Sequence, residues 1–363
     1  MKNKTPFFHI TRRLDMPKAY AYLIRLAAIV VAFAVCGLVS TLLTGESPFS
    51  VYSSIFNGAL GSGRKIWVLF QNLSILLCVG LALAPAFRMR FWNLGGDGQI
   101  LVGCIASSAA MLFLSNSLPG WLLIIVCLLS AILSGALWAL LPAVFKAKWG
   151  TNETLFTLMM NYVAAQLAAF FITSWSKDGS AKIGIINQST RIGWIPEIGN
   201  KYLFIILVAA VLTILMFIYM RYTKQGYEIS VVGESERTAK YIGIKVDRVI
   251  IRTMIISGAI CGLTGFLLVN AKDHTLTTTM VDGRGFTAVI VAWLAKFNPF
   301  TMILTSFLIV FLSLGSNQIT TTLGLNSAFG DILTGIILFF IIGCEFFINY
   351  KITFRKSSRK EVA

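Results

Sequence analysis

The sequence predicts an all-α fold, a polytopic transmembrane helix bundle of about ten spans in which some segments are broken or re-entrant. Three observations carry that prediction. Of 363 residues, 56% are hydrophobic and only 13% charged, and the mean hydropathy is +0.78; a soluble core of this size has no need of so much apolar surface. Apolar stretches recur along the whole chain, most of them near the roughly 20 residues that cross a bilayer at about 1.5 Å per residue. The basic residues, which give a net charge of +16, collect between those stretches, as cytoplasmic connections do under the positive-inside rule. The charge therefore reports topology, and a nucleic-acid partner is not expected.

The spans are placed at 19–43, 66–87, 98–116, 121–145, 154–174, 202–220, 249–270, 286–297, 300–316 and 328–349. The first is long enough to cross and lacks a small-residue cleavage site, so it is expected to be an anchor and not a removable signal. The eighth is about half the usual length, and Gly283, Gly285 and Pro299 around it favour an interruption. It is left open whether it crosses. Before the first span lies a basic arm (1–18) and after the last a basic tail (351–363), expected to fray; residues 19–350 form the membrane domain. Between the fifth and sixth spans is a loop (175–201) rich in Gly, Ser, Asn and Pro, either a small cap or a solvated connector. A polar island (221–248) separates the sixth and seventh. Its stretch 235–241, bracketed by Gly233 and Gly243, reads as a short charged helix.

Ten crossings return both termini to one side. The arm, 88–97, 146–153, the polar island, Lys296 and the tail then share a face holding about 22 of the 31 Lys and Arg, against about 8 on the other. Cytoplasmic termini are expected.

Catalytic constellations are absent from the sequence. There is no GxxxxGK[ST] phosphate loop and no HExxH, and His9 and His274 stand alone as expected solvated loop residues. Six cysteines fall in apolar runs without CxxC spacing and read as small buried hydrophobes, not as metal ligands or disulfides. No catalytic or metal site and no cofactor of its own is expected. Acidic residues in spans, the usual sign of ion coupling, are few: Asp331 and Glu345 lie near the two ends of the last span. Any energy must then come from a partner.

Four clusters stand out. Asn93-Leu94-Gly95-Gly96-Asp97-Gly98-Gln99 combines glycines and amides just before a span, where they permit tight turns and satisfy free backbone groups. In Gly150-Thr151-Asn152-Glu153, Thr151 or Asn152 can cap the following helix and Glu153 suits its dipole; Asn161 then lies inside that span and needs a partner across it. Gly258 and Gly262 form a GxxxG, with Gly265 one turn on, a pattern that lets helices approach closely. The fourth is the polar island. Phe70, Asn72, Asn93, Gln99, Asn161 and Gln166 are the aromatic and amide candidates for a solute path, with interhelical hydrogen bonding as their alternative role.

Taken together, these segments resemble the membrane permeases of ABC importers in the branched-chain amino acid/ribose superfamily, nearest the nucleoside and simple-sugar branch that works with basic-membrane-protein-type lipoproteins. The Asn-x-Gly-x-x-Gly-Gln signature is matched by Asn93, Gly95, Gly98 and Gln99. Gly150, Asn152, Glu153, Met160, Asn161 and Tyr162 are similar to a second signature, 233–244 to the coupling segment, 257–265 to a Ser-Gly-Ala motif, and Gly283, Gly285, Phe286 and Pro299 to a last element. Ser235, Thr238, Ala295 and Phe300 depart from the usual pattern. The resemblance implies one half of a translocation pathway in a bacterial cytoplasmic membrane, paired with a second, different permease chain. It implies a cytoplasmic ATPase, holding ATP and Mg, that engages Gly233, Glu234, Ser235, Glu236, Arg237, Lys240, Tyr241 and Gly243, and a lipid-anchored binding protein outside. The implied cargo is a nucleoside, purine foremost; a ribose or simple-sugar permease and an ion-coupled carrier are the alternatives.

Overall fold

A computed structural model describes residues 8–13, 17–45, 47–176, 183–197, 199–323 and 327–354. All ten apolar segments are helical. Among the described residues, eight helices are long and apolar enough to cross a membrane, and two shorter apolar helical stretches lie at Arg284–Leu294 and Gly335–Ile348. The chain divides into two compact units.

The first unit comprises residues 1–65 and 311–363. Strand β1 (Phe8–Arg12) is followed by α1 (Lys18–Thr44) and α2 (Pro48–Leu60). Helix α2, not foreseen in the sequence, starts at Ser47, whose hydroxyl accepts from Ser50 N. It buries Val51, Ile55, Gly58 and Ala59, one face at helical spacing. The chain's last elements, the end of α12 (Pro299–Leu323), α13 (Ser327–Asn349) and β2 (Tyr350–Phe354), complete the unit. Strands β1 and β2 pair antiparallel, Phe8 opposite Phe354 and Arg12 opposite Tyr350. Residues 351–354 of the expected frayed tail are thus ordered by the arm, and the start of α1 and the end of α13 lie together. The side chains of His9, Asp331 and Glu345 fall outside the described residues.

The second unit, residues 66–310, carries the remaining spans: α3 (Gly63–Arg88), α4 (Gly96–Leu114), α5 (Gly120–Trp149), α6 (Glu153–Trp175), α7 (Leu203–Tyr222) and α10 (Val246–Leu267). Two short helices, α8 (Lys224–Glu234) and α9 (Glu236–Tyr241), fill the polar island. Its core is the triple contact of α4, α5 and α10. A Cβ on Gly103 of α4, or on Gly135 of α5, would lie 2.8 Å from Gly262 Cα, and one on Gly262 would collide with the Ala131 carbonyl. In lipid, apolar burial cannot drive helices together, so close backbone packing must. Hydroxyls add to it, Ser134 Oγ reaching Val102 O at 3.4 Å and Ser130 Oγ reaching Ala106 O at 3.5 Å.

The eighth segment is broken: an unwound stretch precedes a half-length helix. Helix α10 runs into a π-helical turn, Leu268–Asp273, after which the chain is non-helical until α11 (Arg284–Leu294). At its start, His274 O accepts from Ile186 N in the loop that also reaches Met111, near the C-terminal end of α4. At its far end, Gly285 N donates to Asp97 Oδ1 in the first turn of α4 at 2.6 Å, and Trp293 stacks on Trp92. The segment therefore passes from one end of α4 to the other.

The glycine contacts predict a sharp contrast between two substitutions. Gly262→Val should lower the thermal unfolding midpoint in detergent, the overpacking costing about 1–3 kcal/mol or more. Gly120→Ala, whose Cβ would meet nothing within 4 Å, should leave that midpoint unchanged.

Candidate functional site

Non-helical backbone at membrane depth is tolerated only where protein buries it or water reaches it. Here the unwound stretch after the π-turn borders a cavity of about 370 Å³ lined by Asp97, Asn161, Tyr162, Thr278, Thr279 and Asp282. Thr278, Thr279 and Asp282 are exposed to it. Tyr162 is 63% exposed, with no ring–ring contact among the described residues. Leu101, Ala165 and Val281 make much of the remaining wall apolar, so hydroxyls and carboxyls stand beside an apolar surface and one free aromatic face, a combination suited to a flat ring that carries polar groups.

The wall behind it is held by the amides singled out in the sequence. Asn93 and Gln99 are buried. Asn93 Oδ1 accepts from Gly95 N at 3.0 Å and from Gln99 Nε2 at 3.2 Å, while its Nδ2 donates to Ser257 Oγ of α10 at 3.2 Å. Asn161 uses both ends of its amide on backbone: Oδ1 accepts from Gly98 N and Nδ2 donates to Leu94 O, each at 2.8 Å. These residues shape the α3–α4 turn, and their amides are committed to it. Asn72 donates to Val68 O in its own helix at 3.0 Å. Neither Asn72 nor Phe70 lines the cavity. Gln166 is exposed one turn beyond Tyr162 on the same face of α6.

Sequence reasoning missed Asp97 as a contact residue. Its carboxyl holds the N-terminus of α11, and a Cβ on Gly285 would lie 2.6 Å from Asp97 N. The signal was a lone acid between two glycines. Thr278, Thr279 and Asp282 were missed because nothing local distinguishes an unwound membrane segment from a loop.

The loop after α6 is a cap, not a solvated connector. Its Trp194 ring lies 3.8 Å from the His274 ring at an interplanar angle of 6°. Ile195 N donates to Asn270 O at 3.0 Å, and Asn270 Nδ2 donates to Gly193 O at 2.9 Å. Asn270 Oδ1 also accepts from Ser107 Oγ of α4, so one buried amide joins the cap, the π-turn and the core. His274 is thus half-buried and stacked where a solvated residue was expected. Burial pushes its imidazole below the ordinary histidine range; the Val269 carbonyl and Asp273 pull the other way, and Arg191 adds to the depression. Beside the cap lies a cleft of about 600 Å³ with charges of both signs, among them Arg191, Glu197, Lys201, Lys272 and Asp273.

At the opposite end of this unit, α8 and α9 form a lever on α10. Helix α8 buries Gly226, Ile229, Val232 and Gly233, and Glu228 pairs with Arg252 of α10 at 3.0 Å. A Cβ on Gly233 would collide with the Arg88 carbonyl, so this contact requires glycine. Ser235 separates the two helices and caps α9, its Oγ accepting from Thr238 N at 3.2 Å. Ala239 is the buried anchor of α9, in an apolar cluster with Ile229, Val232, Val246, Val249 and Met254. Glu234, Glu236, Arg237, Lys240 and Gly243 are exposed, and Tyr241 is 92% exposed. Tyr241 thus stands out of the core on a helix anchored through Ala239.

A multi-pass bundle with a broken span beside a polar cavity and an anchored surface lever is the architecture of a membrane permease. The chain belongs to the family described as "Branched-chain amino acid transport system / permease component", which matches residues 67–342. It is similar to the guanosine ABC transporter permease protein NupP of Bacillus subtilis, 29% identical, covering 88% of this chain and 92% of that one. It is 25% identical to the glucose ABC transporter permease protein TsgB13 of Haloferax volcanii, covering 94% and 92% respectively. The nucleoside ABC transporter permease protein NupB of Lactococcus lactis is 28% identical over 89% of this chain and 91% of its own.

Two results are expected from this geometry. Asp97→Ala leaves the Gly285 N–H without its acceptor, a cost of about 1–3 kcal/mol, and transport should fall at least tenfold in cells with the chain still in the membrane. Asp97→Asn, which keeps an acceptor oxygen, should fall less. The second concerns pH. Because the unfolded segment takes up the His274 proton before the folded one does, the stacked form is fully favoured above the ordinary histidine range and loses stability as pH falls through and below it. Between pH 7.5 and 5 the protection factors of the Ile186 and Ile195 amides, taken against their slowing intrinsic exchange, should fall. In His274→Phe they should stay constant.

Proposed function

We propose that this chain is the membrane-spanning subunit of an ATP-binding cassette importer that carries nucleosides, purine ones foremost, into the cell. The observation that carries the reading is the family match over residues 67–342, within which the broken span and its cavity lie. Similarity to guanosine and nucleoside permeases supports the cargo, as do the uncommitted Tyr162 ring and the surrounding hydroxyls: a nucleoside is neutral, flat on one side and rich in hydroxyls on the other.

The cavity is open along the exposed face of α6, and a second permease chain would close it. The ends bearing α8, α9 and the termini would face the cytoplasm, where the basic residues concentrate. There a separate ATPase, which holds ATP and Mg, would grip α9 through Tyr241, with Glu236, Arg237 and Lys240 as its charged rim. Gly233, Glu234, Ser235 and Gly243 would fix the angle of that helix. On the outer side, the mixed-charge cleft beside the cap would receive a lipid-anchored binding protein. Residues 19–350 would make up the permease domain, with 1–18 and 351–363 as its cytoplasmic ends.

Reconstitution with candidate ATPase, second permease and binding protein should give ATP-dependent uptake of labelled guanosine at least tenfold above that without ATP. Glucose and ribose serve as competitors, and preferential inhibition by either would assign the cargo to sugars. A Glu236→Ala/Tyr241→Ala pair should abolish both uptake and co-purification of the ATPase. Uptake by this chain alone on a sodium or proton gradient would sink the proposal.

A further inference from the structure

A third recess, apart from the cavity and the cleft beside the cap and bordered on one side by Tyr227 and Ser230 of α8, opens at the end of the second unit where α3 and α7 finish. It has a volume of about 600 Å³. Three cations from three separate elements line it: Arg88 closes α3, Arg221 lies in the last turn of α7, and Lys296 follows α11. Among the described residues, no carboxylate lines it. Each cation has a local reason to be there, since positive charge suits a helix C-terminus and all three belong to the basic face expected from topology. Their convergence on one recess makes that charge available to a single anion. Neutral donors join them. The Asn298 Oδ1 accepts from Phe300 N and Thr301 N, which leaves its NH2 to donate, and Tyr227 brings an exposed phenol.

The other walls are apolar: Phe217, Met220, Phe297 and Pro299. Arg221 lies over the Phe217 ring, 5.8 Å from its centroid. From this recess, the exposed residues Leu207, Val211, Ile214 and Ile218 run along α7, one stripe at helical spacing that faces out of the bundle. Tyr222 and Tyr227 stand exposed at its end and the stacked Trp92–Trp293 pair belongs to the same end of the unit, the aromatic arrangement of a membrane–water interface.

We infer that this recess binds a phosphate-bearing anion, and that the anion is the headgroup of an acidic phospholipid. Three cations supply the recognition of phosphate, as basic pockets between spans do for anionic headgroups. The apolar wall continuous with the α7 stripe decides the source, because it accommodates an acyl chain that free phosphate lacks. The inference holds whatever solute the chain carries.

The test uses the full chain in nanodiscs and in neutral detergent. By native mass spectrometry, phosphatidylglycerol should be retained at least tenfold over phosphatidylcholine, and an Arg221→Glu/Lys296→Glu variant with an unchanged thermal midpoint in neutral detergent should retain both lipids equally. Inorganic phosphate and glycerol 3-phosphate at millimolar concentration should not displace the lipid. Equal retention of the two lipids by the unaltered chain, or a preference undiminished in the variant, overturns the site. Displacement by either soluble phosphate at the same concentration as a short-chain phosphatidylglycerol overturns the lipid as its source.

Discussion

The structure depends on the closeness with which α4, α5 and α10 meet. Around Gly103, Gly135, Gly258 and Gly262 there is no room for a side chain, and the backbones themselves are the interface. In a bilayer this is the contact that can be strong, since a leucine gains little by leaving lipid for protein. It makes α10 a fixed rod in the centre of its unit. Everything with functional promise is attached to one of its two ends.

At one end, α10 passes into the π-turn, the cap and the unwound stretch that borders the polar cavity. The other end carries the lever, joined by the Glu228–Arg252 pair and by Ala239 seated in the apolar cluster. Helix α9 is thus joined to α10 through packed contacts and, by way of α8, through a partly buried ion pair. The Asp97–Gly285 bond is the counterpart on the cavity side: it ties the half-span α11 to α4, so that movement of either alters the cavity wall. The distant surfaces are linked by an unbroken series of contacts within one unit.

Hydropathy made the spans legible, because the requirement for satisfied backbone in lipid leaves helices as the solution. The GxxxG of α10 was legible for the same reason, and the structure places it against α5 as small-residue spacing suggests. The amides Asn93, Gln99 and Asn161 were noticed correctly as exceptional, but the chemistry of an amide in a span does not say whether its partner is backbone or solute. Helix α8 was hidden because its buried face consists of two glycines, an isoleucine and a valine, a pattern too weak for hydropathy to register. His274 looked like a loop histidine, since its partner Trp194 is 80 positions earlier in the chain. The cavity was the least legible element. It joins α4, α6 and an unwound segment, and no local sequence property encodes that meeting.

All six cysteines are buried, where reagents reach a thiol poorly. The unaltered chain is therefore expected to take up little maleimide dye while folded. A single cysteine placed at Tyr241 or at Thr279 would report alone, giving the two ends of the rod independent optical signals without first stripping sulfur from the core.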